Sequence, residues 1–403
     1  MERADDLRSD AAGASPVLAS YAMSLAPYEL HLARRVAKEL PFRMLVLVAR
    51  RDASREWHFD PADGLQLEDL SNGDRDGPMA SLPAQLREWR RGGEVIKRLR
   101  AADAQAVMIA GYNDVGRLRV ASWCRRHGVP VYCRADSNLA DEVNKHPLKK
   151  ALKRRFVSVV RKLFTGVFAV GPQTVAYWKH YGVPAEQIES IPYEPDYELV
   201  ESITEEEVAS VRERFGLDPA RRRIVFSGRL TAVKRVDLLI DAFARIADER
   251  SDWDLLIVGD GELRAELENR VPEELQARIT WAGFLAEQRD VARLYRASDV
   301  LVLPSDYEPW ALVVNEAAAA GLAIVVSEVV GAGAALVRSG VNGETFPLGD
   351  LDTLAEKLLD ITDPQAINRY RAASPGVLAD WRRDHDPVEG LRSALAKAGV
   401  IGS

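Results

Sequence analysis

Short apolar runs alternate with amphipathic helical stretches along almost the whole chain, and this rhythm constrains the fold more than any other feature. Residues 16–20 read as a strand, 28–40 as a helix and 43–49 as a strand. An irregular connection over 50–83, rich in Asp, Gly, Pro and Ser, interrupts them, and a loop of that length inside a domain is often functional. The rhythm resumes with a helix at 86–101, a strand at 106–110, a helix at 115–127 and a strand at 129–133. A basic helix, a strand at 167–170, a helix at 172–181 and a strand at 188–191 follow. Residues 192–196, Pro-Tyr-Glu-Pro-Asp, read as a linker into a second series that opens with a helix at 205–215 and runs to about residue 380. Strands joined by helices pair in parallel, and 403 residues exceed what one core usually holds. The expectation is an α/β chain of two doubly wound domains, 16–193 and 194–380, after a loose polar tail at 1–15.

Composition narrows the function. A formal charge of −7 argues against general nucleic-acid binding. Cys124 and Cys133 are too few for a disulfide framework or a Cys-based zinc site, which fits a reducing, cytoplasmic compartment. The first fifteen residues lack the apolar core of a signal peptide. The longest apolar region, 310–337, is interrupted by Glu316 and Glu328, so no membrane span is expected. The six His, at 31, 58, 127, 146, 180 and 385, show no ligand spacing, and no metal is assigned. Asp252-Trp-Asp254 imitates a metal-binding carboxylate pair but stands at the start of a strand, where a turn is the better reading.

Two strand-to-helix junctions carry the chemistry. Asp306-Tyr-Glu-Pro-Trp-Ala-Leu-Val-Val-Asn-Glu316 ends the apolar run 300–303 and opens an Ala-rich helix reaching about Gly321. Pro309 suits a first helical residue, which would aim the free amides of that turn, and the helix dipole, at an anion. Glu308 and Glu316 bracket the turn, about 12 Å apart at helical rise. As acceptors they suit paired hydroxyls at the two ends of a diphosphate. At the other junction, Ile224-Val-Phe-Ser-Gly228 runs into Arg229 and Lys234 before a helix at 236–246. An Arg fork and a Lys charge at one junction suit a diphosphate; alone, they also describe a solvated helix cap.

Together these stretches resemble the large retaining glycosyltransferase family that includes sucrose synthase and the bacterial phosphatidylinositol mannosyltransferases. Glu308/Glu316 match its Glu-x7-Glu motif, and Gly228/Arg229/Lys234 its Gly-Arg-Leu-x3-Lys motif. The resemblance extends through 256–262, Trp281-Ala-Gly-Phe284, 298–305 and 329–333 and is close only in the C-terminal half. It implies a GT-B fold of two facing Rossmann-like domains, with the 381–403 segment crossing back to the first. It also implies a metal-independent, retaining, hexosyl-type transferase with a nucleotide-sugar donor as co-substrate and no further cofactor. On this resemblance the donor site is Gly228, Arg229, Lys234, Phe284, Glu308, Pro309, Trp310, Ala311, Leu312 and Glu316, with Glu316 on the ribose and Glu308 on the sugar. Where the family commonly has Phe-Gly, this chain has Trp310-Ala311. Gly259-Asp-Gly-Glu-Leu-Arg264 begins like a dinucleotide fingerprint but has Arg at the third Gly, so a dehydrogenase is a weak reading. A catalytically inactive nucleotide-sugar-binding scaffold is the alternative to an enzyme.

In the first domain the strand ending at Cys133 delivers Arg134, Asp136 and Ser137 to its carboxyl end. Asp136 falls where many family members carry a His near the donor sugar, and a bacterial subgroup shows a similar Arg-x-(Asp/Glu)-Ser pattern. These residues either face the donor sugar or acceptor, with Asp136 in a catalytic role, or form an Asp N-cap beside a surface Arg. The family's Gly-Gly loop after the first strand is replaced by Ala22-Met-Ser-Leu-Ala-Pro-Tyr28. Residues 145–162 hold eight Lys or Arg and no acid, while Leu152, Phe156, Val159, Val160 and Leu163 recur at helical spacing. Either this helix packs its apolar stripe on the sheet, or its basic face meets anionic membrane or an acceptor, saccharide or lipid-linked, at the inner face of the bilayer.

Overall fold

A computed structural model describes residues 15–49, 65–71, 81–139 and 146–402, so residues 1–14 of the expected tail, most of the 50–83 connection and Lys145 lie outside it. The first domain runs β1 (Val17–Ala22), α1 (Pro27–Glu39), β2 (Arg43–Val48), β3 (Leu65–Asp69), α2 (Leu82–Ala101), β4 (Ala104–Ala110) and α3 (Val115–Arg126). It continues with β5 (Val131–Ala135), α4 (Pro147–Val160), β6 (Gly166–Ala169), α5 (Pro172–His180) and β7 (Ile188–Ser190). After α6 (Tyr197–Glu201) and α7 (Glu205–Phe215), the second domain runs β8 (Arg222–Ser227), α8 (Val236–Ile246), β9 (Trp253–Val258), α9 (Arg264–Arg270), β10 (Ile279–Gly283) and α10 (Gln288–Arg296). It ends with β11 (Val300–Leu303), α11 (Leu312–Ala319), β12 (Ala323–Ser327), α12 (Gly333–Leu336), β13 (Gly343–Phe346), α13 (Leu351–Ile361), α14 (Ile367–Asp384) and α15 (Pro387–Lys397).

The strands form two parallel sheets, ordered β3-β2-β1-β4-β5-β6-β7 and β10-β9-β8-β11-β12-β13. This is the GT-B architecture of two Rossmann-like units. Each order reverses once, between β1 and β4 and between β8 and β11, leaving a crevice beyond the carboxyl ends of the strands. Central strands read as unbroken apolar runs because helices cover both faces: every residue of β11 is fully buried. Helix α7 is set by a capping box between Thr204 and Glu207 and stopped by Gly216 at φ 64°.

The 50–83 stretch contains an edge strand, β3, that the polar composition concealed. Its Leu-Gln-Leu-Glu-Asp sequence is mostly exposed yet pairs in parallel with all of β2 from Met44 to Val48. Helix α2 also starts earlier than periodicity suggested, at Leu82 behind the Ser81 cap.

Helix α15 leaves the second domain and packs on the first sheet, where Val388, Leu391 and Leu395 join Leu18, Met44 and Phe168 in one buried cluster. The Tyr132 hydroxyl donates to the Ala394 carbonyl at 2.8 Å. The linker carboxylate Glu194, buried, accepts from Arg35 of α1 at 2.5 Å and pairs with Arg382 of α14 at 3.3 Å, while Arg35 also reaches Asp386 at 2.8 Å. A second tie is Trp310, 3% exposed, which lies against Gly171 just after β6 and whose ring centroid is 5.9 Å from that of Trp381. A Cβ on Gly171 would stand 2.2 Å from the Trp310 ring. Gly171→Ala is therefore expected to cost about 1–3 kcal/mol by overpacking, read as a lowered thermal midpoint, with Gly171→Ala/Trp310→Leu recovering part of it.

Candidate active site

Two loops at the carboxyl edge of the second sheet make the floor of a cleft. Gly228 follows β8, Gly259-Asp-Gly261 follows β9, and their backbones touch. The Gly228 amide donates to the Val258 carbonyl at 2.9 Å and the Leu230 amide to the Asp260 carbonyl at 3.0 Å. A Cβ on Gly259, at φ 132°, would stand 1.9 Å from the Gly228 oxygen. The glycines of this fingerprint-like stretch thus serve close backbone packing.

The floor opens into a cavity of about 610 Å³, ordinary for a small-molecule site, closed on the far side by Ala26, Pro27 and Tyr28 after β1 and by Asp196 at the end of the linker. Gly228, Arg229, Phe284, Leu312 and Glu316 all line it. Sequence reasoning therefore brought together five residues from three separate stretches of the chain. It missed Asp260, Gln288, Tyr295 and Tyr28. The motif carrying Asp260 was visible but read as a failed fingerprint, whereas Tyr295 lies inside an ordinary amphipathic helix and sends no local signal.

Glu316 occupies the second turn of α11, beside the cavity, where the Tyr295 hydroxyl donates to its carboxylate at 3.2 Å. Burial pushes the Glu316 carboxyl up to about 7 and the Tyr295 phenol well above its ordinary range. Glu316 is thus an acid whose charge state changes near neutral pH.

The helix does not begin where Pro309 suggested. It starts at Leu312, after Ala311 turns through φ 79°, ψ 80°, a left-handed geometry unusual for a residue with a Cβ. Residues 305–311 are held as a loop against 328–333: the Gly331 amide donates to the Glu308 carbonyl at 3.0 Å and the Ala332 amide to the Trp310 carbonyl at 2.7 Å. Leu312 and Val313, first residues of the helix, line the cavity, so its amino end still faces the crevice. Pro309 shapes the loop instead, its carbonyl 2.0 Å from where a Cβ on Gly331 would lie.

Glu308 and Lys234 pair with each other in a short ion pair at the edge of the cleft. Lys234 ends a 3-10 turn that Arg235, also left-handed at φ 50°, anchors through Asp237 at 3.1 Å and Asp306 at 3.2 Å. Trp310 turns away from the cavity: its indole donates to Asn315 at 3.1 Å, Asn315 donates to the Tyr197 hydroxyl at 2.9 Å, and the ring closes the domain junction.

In the first domain Arg134 is neither a surface residue nor a group reaching into the cavity. It is 5% exposed, donates to Glu29 at 3.2 Å and to the Pro192 carbonyl at 3.1 Å, and stacks 4.6 Å from the Tyr193 ring. Arginine there is a strut between α1, β5 and the linker. Asp136 and Ser137 are partly exposed just beyond β5. Asp136 is near enough to Tyr193 that its charge helps to raise that phenol, after the larger effect of burial. Tyr193 in turn stacks on the cavity residue Tyr28, with centroids 4.6 Å apart. Among the described residues no three His, Cys, Asp or Glu side chains converge as a metal site.

Residues 221–363 match the family described as Glycosyl transferases group 1. The chain is 32% identical over 135 residues to an alpha-D-kanosaminyltransferase of Streptomyces kanamyceticus, a match covering 33% of this chain and 34% of that protein. It is 35% identical over 113 residues to a GDP-mannose-dependent alpha-(1-6)-phosphatidylinositol dimannoside mannosyltransferase of Mycobacterium tuberculosis, covering 28% and 29%. These matches span about a third of each relative. The fold is that of Anabaena Alr3699/HepE, solved in complex with UDP, at a TM-score of 0.71 over 96% of this chain and 100% of that one, with 19% identity. The protein thus carries a glycosyl transferases group 1 domain, built on the second sheet of a GT-B fold.

Proposed function

We propose that the protein transfers a hexosyl-type sugar from a nucleotide-sugar donor to an acceptor hydroxyl, with retention at the anomeric carbon and without a metal ion. The observation that carries this reading is the convergence, on one cavity at a topological switch point, of Arg229, the amino end of α11 and the buried carboxyl Glu316, with the Lys234–Glu308 pair on the loops after β8 and β11, outside the cavity lining. The nucleoside diphosphate lies across the crevice. Glu316 accepts the ribose hydroxyls, and the Leu312 and Val313 amides with Arg229 meet the phosphates. As the bond from the anomeric carbon to the diphosphate oxygen breaks, negative charge gathers on the leaving group, and preorganised donors stabilise it. Lys234 then turns from Glu308 to the diphosphate, releasing Glu308 to the hydroxyls of the sugar. Cations of the chain supply this charge, which is why no metal is required.

Asp136, beside Tyr193 and Tyr28, faces the transferred sugar or acceptor from the first domain. The acceptor is a saccharide or lipid-linked molecule, and the setting is cytoplasmic assembly of cell-surface polysaccharide, glycolipid or glycoconjugate. Consumption of donor separates this reading from an inactive sugar-nucleotide scaffold. With turnover of UDP-, GDP- or ADP-sugars as the assay, Arg229→Ala and Lys234→Ala are each expected to lower kcat by about 10²-fold, and near wild-type rates in both would overturn the assignment.

The carboxylates are expected to separate by ligand. Glu316→Gln weakens the free nucleoside diphosphate as well as the donor, whereas Glu308→Gln spares the diphosphate and impairs the sugar, as calorimetric titration of both ligands would show.

The pH behaviour of Glu316 follows from its burial. With a folded value near 7 and an unfolded one of about 4.3, protonated Glu316 stabilises the fold below the lower value. That contribution is lost as pH rises through about 7. Hydroxyl binding needs the carboxylate, so nucleoside diphosphate affinity rises from pH 5.5 to 8 with a component that Glu316→Gln lacks. The same substitution favours folding at pH 8 relative to pH 5, measured by denaturant titration at each pH.

A further inference from the structure

Two stripes of large apolar side chains stand exposed on one helical layer of the first domain. On α4, Leu148, Leu152, Phe156 and Val159 are 45–63% exposed, and at 3.6 residues per turn they fall within an arc of about 80°. Of the residues expected to pack on the sheet, Val160 and Leu163 do so, whereas Leu152, Phe156 and Val159 do not. The core face is Val157 and Val160, on the adjoining arc. On α2, Leu82, Leu86 and Trp89 are 47–86% exposed, opposite the buried Val95 and Leu99. Helix α3 joins the two: Arg119 lies 4.5 Å over the Trp89 ring and donates to the Trp89 carbonyl at 2.6 Å, and Arg125 donates to the carbonyl of Lys162, just past α4.

Charge on this layer opposes that of the whole molecule. Helices α2, α3 and α4 hold fifteen Lys or Arg against two Glu, in a chain of net charge −7. Both acids are internally paired, Glu88 with Arg91 at 2.5 Å and Glu94 with Lys97 at 2.8 Å. A solvated basic face has no use for seven exposed large apolar side chains, and the stripes stand on convex helix surfaces. Cations beside a shallow apolar stripe are complementary to anionic headgroups over acyl chains.

We infer that this α2–α3–α4 layer docks reversibly on an anionic lipid bilayer. Leu82, Leu86, Trp89, Leu148, Leu152 and Phe156 enter the interface, while Lys149, Arg154 and Arg155 meet the phosphates. Each such cation contributes roughly fivefold to partitioning near an anionic surface. In a parallel sheet the helix after a strand starts at that strand's carboxyl edge, so the first turns of α2 and α4, with Leu82 and Leu148, reach the rim of the cleft. Docking in this orientation brings a lipid-borne hydroxyl to the cavity, a consequence that rests on the transferase reading; the docking itself does not.

Flotation of the full chain with phosphatidylcholine vesicles, with and without phosphatidylglycerol, tests the surface. Wild type is expected to float with the anionic vesicles at low salt, to be released at high salt and to ignore neutral ones. Leu152→Glu/Phe156→Glu, Leu86→Glu/Trp89→Glu and Lys149→Glu/Arg154→Glu/Arg155→Glu are each expected to lose about tenfold or more of the bound fraction. Unchanged thermal stabilisation by UDP, GDP or ADP would show that their fold and cavity are intact. Wild type that ignores anionic vesicles at low salt, or variants that float like wild type, overturn the proposal. So does self-association that the same variants abolish without any vesicle binding, since the occupant is then a second copy. Flotation that persists in a chain binding no nucleoside diphosphate supports docking and sinks the transferase reading instead.

Discussion

Between β8 and β11 the second sheet reverses its direction of growth, and the site depends on the gap that this reversal leaves. Helices from the two strands depart to opposite faces, so no connection crosses the space beyond their carboxyl ends. Loops from β8 and β9 can pave that space only if their backbones touch, which the missing side chains of Gly259 and Gly261 permit. Amides and carbonyls of this floor satisfy one another. What remains to address a ligand is a small set of side chains with fixed positions.

Charge in this gap is stored in pairs. Lys234 holds Glu308, and Arg235 holds Asp306 and Asp237, so the cations beside the crevice stay close to the surface without unbalanced repulsion. An anionic ligand need only exchange partners, which costs less than bringing a lone cation out of water. Glu316 has no such cation among the described residues and answers burial by holding its proton to near neutrality.

Much of this was legible in the chain. The bounds of α7 and α8 follow from local signals, a capping box and Gly216 in one case and an unbroken apolar face in the other. The cavity residues Gly228, Arg229, Leu312 and Glu316 follow from two junction motifs. What escaped was decided by distant contacts. The start of α11 is set by Gly331 beneath Pro309 rather than by the proline rule. Arg134 is buried because Tyr193, far along the chain, offers its ring. Strand β3 offers only the brief alternation Leu65-Gln-Leu67-Glu, lost among the Asp, Gly and Pro of the stretch around it, because an edge strand needs only a neighbour's backbone. On α4, periodicity found the helix and, in Val160, part of its packed face, but not Val157, since two apolar arcs adjoin and only one can meet the sheet.

Ala311 adopts a backbone geometry that costs an L-residue about 1–2 kcal/mol, and the cost is borne by hydrogen bonds between residues 305–311 and 328–333. Those two loops therefore behave as a single mechanical part. Neither can drift in sequence alone: a side chain added at Gly331 would displace Pro309, and with it the carboxylate of Glu308 and the indole that closes the junction to the first domain. The sugar contact proposed for Glu308 and the apposition of the two domains are inherited together, through one loop.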